Sequence, residues 1–372
     1  MFSMFFGAGN VVFPLALGLD TQSQAVYAVL GLMITAVGVP FIGILASILF
    51  DGEYESFFER IGKVPGMGLA VLIMAMIGPF GAMPRCITVS YASLQTYIPD
   101  MQLQTFSLFS CILVFLLTFR KAKMLDVLGY VLTPVLLGSL IWIIVQGVWG
   151  APPAPVATMG SSESFFQGLS VGYQTMDLLA TFFFSAVVLQ VLEQGLAADD
   201  KQNHRLMMKK ALQAGCIGMS LLALVYAGFT FVSAAHSDAL SGVAPQNILA
   251  ATAQTILGPN AGIIASVAVS LACLTTVIAL AAVFSEFLHR DLFFDRISYL
   301  PCLVITMITT FGVSTLGFTG IVQLLGPILT VCYPVLIVMS VCNILYKMYG
   351  ITTIKRPVAI TFVASVIFYF WM

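Results

Sequence analysis

The chain has 372 residues, of which 60% are hydrophobic and only 8% are Asp, Glu, Lys or Arg, with a formal net charge of −1. A soluble domain carries about a quarter charged residues, so this composition cannot build an aqueous surface. No basic tract is present to grip a phosphate backbone, and nucleic-acid binding is not expected.

A membrane span needs about 20 apolar residues, with roughly 17 to 25 tolerated. In chain order, eleven candidate runs follow one another: 1–18, 26–50, 67–96, 104–119, 125–149, 164–192, 211–234, 260–287, 299–312, 316–346 and 357–372. The opening run has no basic n-region and does not resemble a cleaved signal peptide.

Lys and Arg collect in cytoplasmic loops. Arg60 and Lys63 follow the second run, Arg120, Lys121 and Lys123 the fourth, and Lys201, Arg205, Lys209 and Lys210 the sixth. Arg290 and Arg296 follow the eighth, and Lys347, Lys355 and Arg356 the tenth. Fourteen of the 15 basic residues thus fall in alternate loops, while the connections near 19–25, 97–103, 150–163, 235–259 and 313–315 have none. The pattern predicts a cytoplasmic N-terminus, with the Pro-rich stretch Ala151 to Val156 and the loop holding His236 and Asp238 outside.

The seven cysteines (Cys86, Cys111, Cys216, Cys273, Cys302, Cys332 and Cys342) lie in apolar runs without a C-x-x-C pair and read as small packing residues. His204, His236 and His289 lie in polar connections, with no special role expected.

Two runs are interrupted at mid-depth. The first carries Gly7-Ala8-Gly9-Asn10, and the sixth carries Gly172-Tyr173-Gln174-Thr175-Met176-Asp177. Unwound backbone in hydrocarbon persists only where it is buried in protein or lines a cavity. Gly7 or Gly9 alone would be read first as close helix packing, but paired interruptions that begin the first and sixth runs reverse that preference. Five runs separate their starts, so the second set of five enters from the opposite side. This predicts an inverted repeat with solute and ion held between the halves. The predicted division is a first repeat over 1–149, a second over 164–346 and a further span over 357–372, all in one transporter domain.

Charges at depth are costly and usually functional. Arg85 in the third run and Asp177 in the sixth are the deep ones, and are expected to pair with each other, directly or through water, as a static link or a moving gate. Glu286 and Asp126 are expected at the membrane interface.

Together, Phe5-Phe6-Gly7-Ala8-Gly9-Asn10 with Phe13-Pro14, Gly78-Pro79-x-x-Ala82-x-Pro84-Arg85 with Thr88-Val89-Ser90, Gly172 to Asp177, and Thr275-Thr276 followed by Ser285-Glu286-Phe287 resemble the branched-chain amino acid:cation symporter family. The resemblance implies an all-α polytopic membrane protein with the LeuT-type five-plus-five inverted repeat and discontinuous first and sixth helices. It implies Na+-coupled import of Leu, Ile or Val across the plasma (inner) membrane by alternating access, with no cofactor and no enzymatic step.

By correspondence with such transporters, Na+ would be held by the carbonyls of Ser3, Phe6 and Ala272 and the hydroxyls of Thr275 and Thr276. Neutral oxygens suit a hard monovalent cation that must also leave. The alternative is that both threonines only back-bond to their own helix. The substrate carboxylate would sit on the amides of Ala8, Gly9 and Asn10 at a helix N-terminus. Its ammonium would meet carbonyls of Tyr173, Gln174 and Thr175, and its side chain would pack near Tyr173 and Phe182.

Only six residues precede Gly7, rising ~9 Å, so the first half-helix is expected to be incomplete, and no twelfth span follows the eleventh. A proton-coupled neutral amino acid transporter, with Asp177 as carrier, and an inactive relative with a structural role are the alternatives. A channel would need a continuous polar path and a membrane enzyme a deep cluster of His, Cys or carboxylates, and neither is written here.

Overall fold

The computed structural model describes residues 2–95, 97–119, 133–195 and 204–371. Arg120, Lys121, Lys123, Asp126 and Lys201, and the start of the predicted fifth span, lie outside the described residues. Every regular element among the described residues is helical.

The first interruption is real: α1 (Phe2–Phe5) and α2 (Ala8–Thr21) are parted at Phe6 and Gly7. The next span consists of α3 (Ala25–Met33), a π-turn over Ile34–Gly38, and α4 (Val39–Leu49). From Ala8 to Leu49 is 42 residues, about 63 Å at helical rise and twice a ~30 Å core. That length is divided at Gln22–Gln24, where Gln22 takes φ 43°. A short helix, α5 (Tyr54–Phe58), occupies the following loop.

The third span departs from the straight run predicted over 67–96. It starts earlier, as α6 (Lys63–Ile77), turns over Gly78–Gly81, and resumes as α7 (Ala82–Gln95). Pro79 causes the turn, because proline drives the preceding residue out of the helical region, and Gly78 accordingly sits at ψ −130°. Arg85 falls on the first turn of α7, its amide bonded to the Gly81 carbonyl at 3.0 Å.

After α8 (Leu103–Thr118) and α9 (Thr133–Val148) comes the second broken span, α10 (Ser161–Gln174) and α11 (Asp177–Gly195), bent by 41°. The rest are α12 (His204–Ala235), α13 (Ile248–Leu257), α14 (Pro259–Phe287), α15 (Tyr299–Ser314), α16 (Gly317–Tyr349) and α17 (Lys355–Trp371). The loop expected over 235–259 thus contains a helix. α13 buries Ile248, Leu249 and Ala253 against its neighbours, which its apolar spacing allows and its short length concealed.

The packing has a swap symmetry. α2 lies on α12, while α10 and α11 lie on α3 and α4, and α7 lies on α14. Exchanging the two halves maps the first pairing onto the second and the last onto itself, which is the LeuT-type five-plus-five inverted repeat. The α3–α10 crossing is made by backbone touching backbone: a Cβ on Gly168 would stand 2.0 Å from the Ala28 carbonyl oxygen, and one on Gly31 2.1 Å from that of Phe165. The Thr35 hydroxyl donates across the gap to the Leu169 carbonyl at 2.9 Å. Membrane helices associate through such small-residue approach and interhelical hydrogen bonds. Gly172, read in the sequence as part of the interruption, is therefore a packing residue inside α10, with Thr35 against it.

Five of the cysteines are buried as packing residues, but Cys216 is exposed on α12. Phe109 is 62% and Ile308 65% exposed on the outside of the bundle, an exterior that acyl chains solvate and water does not.

Candidate functional site

The two breaks face each other. A Cβ on Gly9 would lie 3.2 Å from the Gln174 carbonyl oxygen, a tight contact, so glycine lets α2 begin this close to the end of α10 without displacing it. The second break is set by Met176 at φ 64°, a conformation costly for a side-chain-bearing residue. The amides of Ala8, Gly9 and Asn10 open α2 and have no acceptor one turn back. The Gly7 amide is met by Asn10 Oδ1 at 3.2 Å.

Asn10 and Asp177 join the breaks. Asn10 Nδ2 donates to Asp177 Oδ1 at 2.8 Å and also to the Tyr226 hydroxyl, which donates to Asp177 Oδ2 at 2.6 Å. All three residues are at most 1% exposed. The Leu178 amide donates to the Tyr333 hydroxyl at 3.3 Å, and the Tyr333 ring stacks on Tyr173 at 4.6 Å. Tyr226 and Tyr333 were not singled out in the sequence. Their only mark is a polar tip within apolar helices, where Tyr226 shares a helix face with Thr230 and Ser233.

Arg85 and Asp177 make no direct ion pair. Arg85 Nη1 donates to the Gln174 carbonyl at 3.0 Å and to Met176 Sδ at 3.3 Å, and Nη2 donates to Gln174 Oε1 at 3.1 Å. The two charges are each met by neutral dipoles, which satisfy a buried ion without an opposite charge when enough of them converge. The Gln174 carbonyl, one of the acceptors expected for a substrate ammonium, is thus held by a cation already. Tyr173 O accepts the Met176 amide at 3.2 Å, and the Thr175 hydroxyl donates to Gly172 O at 2.9 Å.

Four of the five residues expected around Na+ come together. Thr276 Oγ1 lies 3.3 Å from Phe6 O and 3.1 Å from Ala272 O, and Thr275 Oγ1 lies 2.7 Å from Ala272 O. Ser3 is in α1, which packs on α14. Both hydroxyls donate to their own helix, as threonines in membrane helices do, but the link from Thr276 to Phe6 crosses to the first break. These are neutral oxygens, the donor set a hard monovalent cation accepts.

Between the breaks is a cavity of about 40 Å³, walled by Gly7 to Asn10, Thr175 to Asp177, Arg85, Cys86 and Thr276. Phe184 lines it, edge-on to Phe5 at 5.5 Å. Phe182, expected there, instead packs on Phe57 at 4.8 Å and Phe58 at 5.4 Å: residues two apart on a helix point about 200° from each other, so Phe184 faces the site and Phe182 faces away from it. Phe13, one turn after Gly9 in α2, packs against Phe318 at 6.1 Å. Toward the loops bearing Arg60 and Arg290 lies a second cavity of about 740 Å³, lined by Tyr54, Phe183 and Glu286 among others, and Met4 walls both.

Tyr54 closes an edge of that second cavity. Its ring packs on Phe183 at 4.9 Å and Phe287 at 6.2 Å, and its hydroxyl donates to Asp291. Burial, and then the bond to Asp291, push the Tyr54 phenol above its ordinary range, so it remains a donor at any physiological pH. Tyr54→Phe keeps the rings and removes the bond. The expected loss is about 1 kcal/mol at this partly buried position, read as a lowered melting temperature in detergent. Nearby, Glu286 pairs with Arg290 at 2.8 Å at the end of α14.

An inverted repeat whose two interrupted helices meet around a small cavity is an architecture of membrane transporters. Solved structures share this fold. They include an inward-facing conformation of Mhp1, with TM-score 0.62, 12% identity, 99% of this chain and 87% of that one covered. Another is MhsT in complex with L-phenylalanine, with TM-score 0.57, 14% identity, and 98% and 97% covered. The chain matches the family described as branched-chain amino acid transport protein over residues 1–370, and it belongs to that family. The branched-chain amino acid permease BrnQ of Bacillus subtilis is 28% identical over 361 residues, which is 94% of this chain and 80% of that protein. The protein is a membrane transporter of amino acids and not an enzyme.

Proposed function

We propose that the chain is a symporter that imports leucine, isoleucine and valine with Na+ by alternating access. The observation that carries it is the meeting of the breaks: Gly9 against Gln174, and Asn10 bonded to Asp177. The substrate lies between them, its carboxylate toward the amides of Ala8, Gly9 and Asn10 and its ammonium toward the chain from Tyr173 to Thr175. Na+ is held by Ser3, Phe6, Ala272, Thr275 and Thr276. Arg85 and Asp177 are the coupling and gating groups. The repeats run over 1–149 and 164–346, with an eleventh span at 357–372, in the inner membrane with the N-terminus cytoplasmic.

About 40 Å³ holds little more than one water-sized group, so the solute enters a more open form of the same site. Met4 lines both this cavity and the 740 Å³ one, which favours exchange between them. Leucine uptake into proteoliposomes under a Na+ gradient, compared with a pH gradient alone, tests the reading. Uptake driven only by the pH gradient would favour the proton-coupled alternative, whose support is a buried Asp177 without a cationic partner. Thr276→Val removes the hydroxyl that spans to Phe6. It is expected to raise the Na+ concentration for half-maximal uptake about tenfold, the effect of losing ~1.4 kcal/mol of ion binding, with the leucine dependence at saturating Na+ little changed.

A further inference from the structure

The geometry points to Arg85 as the side chain that reads the carboxylate of the solute, through its Nε–H; this rests on the cavity being the amino acid site. Arg85 is 2% exposed. Its bonds all come from the terminal nitrogens, to Gln174 and Met176, and Nε has no partner. The Phe13 ring, 5.4 Å from the guanidinium carbon, offers only the weak attraction of its face.

A guanidinium is always charged and presents its donors in a rigid fork that matches a carboxylate. Leaving one of those donors empty in a buried place is costly. An anion that arrives and leaves would complete it. Arg85 lines the same small cavity as residues 7–10, where the start of α2 also favours negative charge. Asp177 lines the cavity too, bonded to the neutral Asn10 and Tyr226. One positive and one negative charge thus border a single cavity without neutralising each other. A zwitterion, its carboxylate toward Arg85 and its ammonium on the Asp177 side, is the solute that complements both. Leucinamide has the same side chain and ammonium but no carboxylate, and it leaves Nε empty.

The test is the affinity of L-leucine and of L-leucinamide for the full chain in lipid nanodiscs, wild type against Arg85→Met and Arg85→Lys. The loss of one charge-assisted hydrogen bond predicts that Arg85→Met weakens leucine binding by roughly 10- to 100-fold and leucinamide binding by less than about 3-fold. Arg85→Lys keeps the charge without the fork and should fall between the two, and it carries the comparison if the methionine variant does not fold. Parallel losses for both ligands would mean that Arg85 only props the break at Gln174, and an unchanged preference for leucine would mean that the amides of α2 read the carboxylate alone. Either result overturns the inference. Wild-type protein that binds neither ligand would instead remove the amino acid reading of the cavity itself.

Discussion

Proteoliposomes containing Asp177→Leu are expected to take up leucine no faster than empty vesicles. The substitution removes the acceptor that holds Asn10 at 2.8 Å and Tyr226 at 2.6 Å. Both donors are at most 1% exposed, so water cannot replace it. Each buried donor left unmet costs about 1–3 kcal/mol, and the pair is the polar link between the start of α2 and the start of α11. Without it the breaks have no reason to keep their mutual geometry. Asp177→Asn keeps one acceptor oxygen and loses the charge. Under a Na+ gradient it should retain roughly a tenth of the wild-type rate, the effect of about 1.4 kcal/mol. Uptake by Asp177→Leu above half the wild-type rate would show that this link is dispensable.

Gly168→Ala is expected to abolish recovery of folded protein. The added methyl would stand 2.0 Å from the Ala28 carbonyl oxygen and 3.0 Å from the Leu32 amide nitrogen, and neither backbone atom can step aside without separating α3 from α10. The cost falls in the exceptional class above about 4 kcal/mol. Gly312→Ala, where nothing lies within 4 Å of the new carbon, is the matched control and should gain about 0.5–1 kcal/mol from the stiffer helix. Size-exclusion profiles of fluorescent fusions in mild detergent separate the two. A monodisperse peak of wild-type height for Gly168→Ala would refute the close crossing.

Much of the fold was legible because a membrane makes sequence simple. Backbone must be helical where lipid touches it, so the long apolar runs read directly as helices. The first break was legible from Gly7 and Gly9. The second was displaced: Gly172 looks like a helix breaker but serves the crossing with α3, whereas Met176, which has no such signature, takes the left-handed conformation. Pro79 marks the kink at Gly78, but the hydropathy runs through it unbroken. Partners were the least legible. Asp177 was expected to seek Arg85 because both are charged and deep, but each is met by neutral groups from helices distant in sequence, and nothing local to residue 177 announces Tyr226, 49 positions away.

The helices divide into two groups along the cavity. The broken spans are locked to α3, α4 and α12 by close crossings, while α7 and α14 pack on each other. Arg85 and Thr276 belong to the second group and reach Gln174 and Phe6 in the first. A rigid rotation of one group against the other therefore acts on the guanidinium clasp and the threonine bridge through the same angle. Their two lengths are not independent variables, so spectroscopic labels placed across either one would report the same hinge angle.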